Sequence, residues 1–193
     1  VLQLLKTPFM PLFFIISGYV FVPNSVKSVI YKMVKSLIFP YLAVMLAFSL
    51  IQPIVTYLQT QSWDQAVAQF VKVSVAFSLG IPIPGKKLLG YSLSHCAIVW
   101  FLLTLFWAYN ILNLILKIKS TKLQMICVPV CAALGYALFL LDFTYYCIPH
   151  GLIATSYFYV GYLLKKSKLL EKGLPRKWMY PVWIAIAVIY ACW

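Results

Sequence analysis

Long runs without a charged residue alternate with short lysine-rich stretches along this chain. The uncharged runs cover residues 7–26, 36–63, 88–116, 123–141, 143–164 and 178–193. A helix needs about 20 mostly apolar residues to cross the roughly 30 Å hydrocarbon core of a bilayer. Strands of a membrane barrel would instead alternate polar and apolar residues, which Leu12–Ile16 does not do. The pattern therefore predicts an all-α polytopic membrane bundle with about six transmembrane helices, in one membrane domain covering residues 1–193.

The predicted spans follow these runs. They cover about 8–23, 37–57, 98–116, 124–141 and 148–164, and a sixth begins near Met179. The connections at 24–36, 117–123 and 165–178 are predicted to be basic loops.

Residues 65–85 allow two interpretations. Their apolar residues favour a further span, but Lys72 interrupts it and prolines at 82 and 84 close it. If the segment does not cross, the three basic loops share one side, with twelve of the sixteen Lys and Arg residues. Cytoplasmic loops carry an excess of Lys and Arg. We therefore expect an interfacial or re-entrant helix here, on the outer side of the membrane.

Charge and composition narrow the choice of partners. The chain is 64% hydrophobic and only 10% charged, with a formal net charge of +13. In a soluble protein this charge would indicate nucleic-acid binding. Because the lysines cluster in short connections between spans, we predict the lipid bilayer as the partner and no nucleic acid. Cys127 and Cys131, four residues apart on one helix, are interpreted as small packing residues.

Three polar motifs are candidates for chemistry. In Phe13-Phe14-Ile15-Ile16-Ser17-Gly18-Tyr19 the small residues would let two membrane helices approach closely. Lys32 and Lys35, ahead of Pro40-Tyr41, share a helix face and either hold a phosphate or anchor a loop at the membrane surface. Trp100 follows His95 near a predicted interface, where tryptophan is common.

His95 and His150 are the two histidines of the chain. Histidine is the usual acid–base group near neutral pH, and a polar cap at a span end is the alternative role for each. A metal site would need carboxylates or thiolates beside them. We expect no metal.

These motifs, together with the later Gly161-Tyr162-Leu163-Leu164 and its basic exit, resemble in order the membrane-bound acyltransferase-3 family. Its members are integral membrane O-acyltransferases of surface polysaccharides. The resemblance covers roughly residues 4–170 and implies acetyl-CoA or another acyl-CoA as donor, a sugar or glycan as acceptor, and a multi-pass location in the plasma or inner membrane. It implies that Lys32 and Lys35 contact the donor, although the family usually carries Arg-x-x-Arg there and lysine lacks the planar two-point contact of guanidinium.

The same resemblance implies a substrate path and a catalytic group. The path residues would be Ser17, Gly18, Tyr19, Tyr41 and Trp100. The catalytic histidine is expected upstream of Val1, which leaves His95 and His150 as the candidates within the chain. On this interpretation the chain is a fragment truncated at both ends, and inactive alone. A transporter or flippase and a non-catalytic membrane subunit remain as alternatives.

Overall fold

A computed structural model describes residues 9–81, 87–88, 91–92 and 99–168, and this part of the chain is helical. The helices are α1 (Phe9–Val20), α2 (Val26–Met33), α3 (Phe39–Thr60), α4 (Trp63–Ser78), α5 (Trp100–Leu116), α6 (Thr121–Leu140) and α7 (Ile148–Lys166). Two short strands, β1 (Lys87–Leu88) and β2 (Tyr91–Ser92), pair antiparallel. The all-α prediction is confirmed. The predicted sixth span near Met179 lies outside the described residues.

Helix α7 forms the centre of the bundle and packs against α1, α5 and α6. Phe14 of α1 lies 6.0 Å from Phe158 of α7, ring centre to ring centre, and Phe21 lies 5.5 Å from Tyr109 of α5. Tyr109 also meets Phe158 edge-on at 4.9 Å. These rings form the main apolar core, against which Cys127 and Cys131 of α6 pack as the sequence predicts.

The connections gather at two ends of this bundle. At the basic end (residues 21–25, 117–120 and 165–168), the Asn24 amide donates to Asn113 Oδ1 at 3.2 Å. Lys165 Nζ also donates to the Phe21 carbonyl there, at 3.0 Å. At the opposite end, the residues that follow α4 meet the turn between α6 and α7, where Tyr146 N donates to the Leu79 carbonyl at 2.8 Å. Residues 24–25 of the first predicted basic loop and the described parts of the other two therefore lie together.

The prediction of a loop at 24–36 is wrong, because residues 26–60 form one continuous helical segment. Ser25 caps α2 by accepting a hydrogen bond from the Ser28 amide at 3.3 Å. Val29 and Met33 are buried one turn apart while Lys27 and Lys32 stay exposed, so α2 is amphipathic and packs on α5. A π-helical turn over Val34–Ile38 joins α2 to α3, whose ends lie within three residues of those predicted for the span at 37–57.

The helix predicted near 65–85 is present as α4, but it ends at Ser78. Helices α3 and α4 form an antiparallel hairpin: Tyr57 lies 4.3 Å from Trp63 at its tip, and Tyr41 lies 6.1 Å from Phe77 at its base. Gly80, with φ of +58°, turns the chain after α4. The hairpin therefore begins and ends at the opposite end of the bundle, and the expectation that residues 65–85 do not cross the membrane stays a prediction.

Two described helical segments, Val26–Thr60 and Thr121–Leu140, are long and apolar enough to cross a membrane. Large apolar side chains point outward on both. On α3 they recur every fourth residue, at Leu46, Leu50, Ile54 and Leu58, each more than half exposed. An apolar surface of this extent is typical of lipid or protein contact.

Candidate functional site

Two of the sequence motifs pack directly against each other. Gly18 of α1 faces Phe158 of α7, and Gly161 of α7 faces Ile15 and Tyr19 of α1. A Cβ atom on Gly18 would lie 2.7 Å from the Phe158 Cα, and one on Gly161 would lie 2.8 Å from the Tyr19 nitrogen. We call this contact the α1–α7 seam. Only glycine permits the two backbones to approach this closely.

The seam gives the Ser-Gly-Tyr motif a packing role. Ser17 is buried in the seam region at 8% exposure, and Tyr19 is half-buried. The interpretation of small residues as a close helix contact is therefore confirmed for Gly18 and Gly161. A role of Ser17, Gly18 and Tyr19 along a substrate path stays a prediction.

Three of the other predicted site residues converge at the opposite end of the bundle, although they come from α3, α5 and α7. Trp100 lies 5.4 Å from His150, ring centre to ring centre. Tyr41 is buried in a cluster with Phe77, Leu103 and Cys147, against which Trp100 packs. We call this place the junction and define it by Tyr41, Trp100 and His150.

Hydrogen bonds from side chains to backbone carbonyls hold the junction to α4 and to the turn before α7. The Tyr41 hydroxyl donates to the Phe77 carbonyl. The Cys147 thiol donates to the Gly80 carbonyl at 3.2 Å, and Trp107 Nε1 donates to the Tyr146 carbonyl at 2.9 Å. Tyr146 and Cys147 both have φ of +54°. Left-handed conformations of non-glycine residues cost about 1 kcal/mol or more each and persist where the surroundings enforce them.

His150 occupies the first turn of α7 with its ring beside Trp100 and Phe139, the latter at 6.1 Å. Its Nδ1 atom is buried and has no hydrogen-bond partner among the described residues. A buried imidazole nitrogen without a partner is costly, and it is available to a ligand that reaches it. His95 lies outside the described residues.

The lysines predicted to bind the donor are both exposed, Lys32 on α2 and Lys35 on the π-helical turn. At 1.5 Å rise per residue, they stand about 9 and about 13 Å along the helix from Val26. Both lysines therefore lie beyond the basic end, on the exposed face of the helical segment that packs on α5. Lys165 differs from both, because its hydrogen bond to Phe21 ties α7 to the end of α1.

Within the described residues, no group of three His, Cys, Asp or Glu side chains is placed to hold a metal ion.

Comparison with protein families decides the class of the chain. The model of a family described as an acyltransferase domain, acyltransferase-3, matches residues 2–193. The chain belongs to the acyltransferase-3 family. Members of this family are membrane proteins, in agreement with the two apolar helices long enough to span. Comparison with curated proteins and with solved structures gives no significant match.

Several residues that hold the acyltransferase fold together were not singled out from the sequence. Asn113, Trp107 and Cys147 each bond a backbone group far away in the chain, at Asn24, Tyr146 and Gly80. The available signal was their polarity within apolar segments, since buried polar groups are nearly always hydrogen-bonded. Their partners could not be read from that signal.

Proposed function

We propose that this acyltransferase moves an acetyl or related acyl group from cytoplasmic acyl-CoA to a hydroxyl of a sugar or glycan outside the cell membrane. The observation that carries the proposal is the family match over residues 2–193. The ordered motifs of the sequence support it. The structure packs two of them into the α1–α7 seam and brings Tyr41 and Trp100, from two others, together with His150 at the junction.

The chemistry is an ester exchange. The acceptor hydroxyl attacks the thioester carbonyl, its proton passes to a base, the new C–O bond forms and the C–S bond breaks. The sulfur leaves as the thiolate, which takes up a proton to give free CoA. A histidine is the expected base, or a transient carrier of the acyl group. Within the chain, His150 and His95 are the candidates for this role.

The charge distribution supports a cytoplasmic donor at the basic end. CoA is polyanionic, and the connections at 117–120 and 165–168 carry five lysines at this end. Lys32 and Lys35 add exposed ammonium groups on the helix that leads away from it. Only the small neutral acyl group then has to cross between the two ends of the bundle. Tyr41 and Trp100 at the junction would lie toward the acceptor.

The proposal is tested by measuring transfer of the acyl group directly. Membranes containing the protein are solubilised in mild detergent and given acetyl-labelled acetyl-CoA with a polymeric or lipid-linked sugar. We expect label in the sugar that mild base releases as acetate, and an equal amount of free CoA. Sugar that binds to the protein without gaining label would contradict the proposal and favour a transporter.

A further inference from the structure

We propose that the groove between α6 and α7 at the basic end binds an acidic phospholipid of the adjoining leaflet. The groove has a volume of about 440 Å³. Its lining residues are Thr121, Val160, Leu163, Leu164, Lys166 and Ser167. This inference is independent of the acyl-transfer reaction.

The lining changes from polar to apolar along the groove, as a phospholipid does along its length. Thr121, Lys166 and Ser167 lie at the basic end and offer two hydroxyls and an ammonium group. Leu163 and Val160 follow deeper along α7, and the distance from Ser167 to Val160 is about 10 Å at 1.5 Å per residue. A phosphate at the polar end would therefore continue into an acyl chain along the leucines.

Charge favours an anionic headgroup. Lys166 lines the groove with an exposed side chain, and Lys122 follows Thr121 directly at the start of α6. The described carboxylates are remote, because Asp64 opens α4 and Asp142 follows the far end of α6. Basic pockets between membrane helices on the cytoplasmic side are typical sites for anionic lipid headgroups.

The groove also opens toward lipid. Val160 is 46% exposed, and the adjoining face of α6 presents Met125, Ile126 and Val130, each about half exposed or more. An occupant can therefore enter sideways from a leaflet. The nucleotide of acyl-CoA would need contacts for further phosphates beyond the single ammonium group of this lining, so a phospholipid fits better.

Native mass spectrometry of the purified protein in mixed phosphatidylglycerol and phosphatidylcholine tests the proposal. We expect preferential retention of phosphatidylglycerol, reduced about fivefold by Lys166→Gln, since one lysine near an anionic surface contributes about that factor. Lys168→Gln is the matched control, because Lys168 is exposed and does not line the groove. Leu163→Trp, which fills the groove without changing the charge, should also reduce retention.

Three results would overturn the proposal. Retention unchanged by Lys166→Gln would show that the headgroup lies elsewhere. An equal loss with Lys168→Gln would show diffuse attraction to the whole basic end. Displacement of the lipid by micromolar acetyl-CoA would identify the groove as part of the donor site.

Discussion

Adding a single methyl group at the α1–α7 seam should destabilise the protein, although the same change usually stabilises a helix. In Gly161→Ala the new Cβ would lie 2.8 Å from the Tyr19 nitrogen and closer still to the Ile15 carbonyl oxygen. Ordinary contacts of a Cβ begin at 3.4 Å. The backbone of α1 would therefore have to move away from α7 by well over half an ångström. Because the obstacle is backbone, no side-chain rotation can relieve it.

Two opposing contributions decide whether Gly161→Ala stabilises or destabilises the protein. Replacing glycine by alanine inside a helix gains up to about 1 kcal/mol of intrinsic propensity. Overpacking a close contact costs about 1–3 kcal/mol, and the lost seam contacts are not regained from lipid tails that are equally apolar. We expect a net loss of about 1–2 kcal/mol. Gly18→Ala should do the same, and the double variant should cost less than the sum, since both open one seam.

Unfolding in detergent, followed by tryptophan fluorescence, measures this loss. Val20→Ile is the matched control, because it adds one carbon on α1, the seam partner of α7, at a side chain that is 59% exposed. A midpoint for Gly161→Ala equal to or above that of the control would refute the close backbone contact.

Three further changes test other parts of the account. Replacing Lys32 and Lys35 together by alanine should raise the KM for acyl-CoA, while arginine at both positions preserves it. Lys72→Ala, on α4 outside the basic end, is the control. An unchanged KM in the Lys32 and Lys35 variant would refute donor binding. On a cysteine-free background, Ser120→Cys and Ser167→Cys should react only with a probe present in the cytoplasm, and labelling from outside would reverse the topology. Tyr41→Phe should cost about 1 kcal/mol of stability through the lost bond to the Phe77 carbonyl, whereas Tyr57→Phe should be neutral; equal effects would contradict the structural role of the Tyr41 hydroxyl.

Long uncharged runs predicted α5, α6 and α7 to within three residues at each end, because burial in lipid requires an unbroken apolar helix. The charges of Lys27 and Lys32 favour a loop in this segment, whereas the spacing of its apolar residues favours a helix. Val29 and Met33 recur at helical spacing after the capping residue Ser25, which is a readable helix signal.

The sequence predicts which residues belong to the candidate site, but it does not predict which of them contact one another. The glycines of the Ser17-Gly18-Tyr19 and Gly161-Tyr162 motifs indicated close helix contacts, yet nothing local shows that they contact each other. Trp100 and His150 likewise stand at the starts of separate helices, and only the packing of α5 against α7 brings them together. Pairings of this kind depend on the whole bundle and not on any single segment.

The central claim is that acyl groups pass from a donor at the basic end to an acceptor on the other side of the membrane. The most direct measurement uses sealed vesicles whose orientation is known from labelling at position 120, with acetyl-labelled acetyl-CoA on one side and the sugar on the other. We predict labelled sugar only when acetyl-CoA is on the side of the basic end. Transfer that requires donor and acceptor on the same side, or that proceeds equally from either side, would contradict the account.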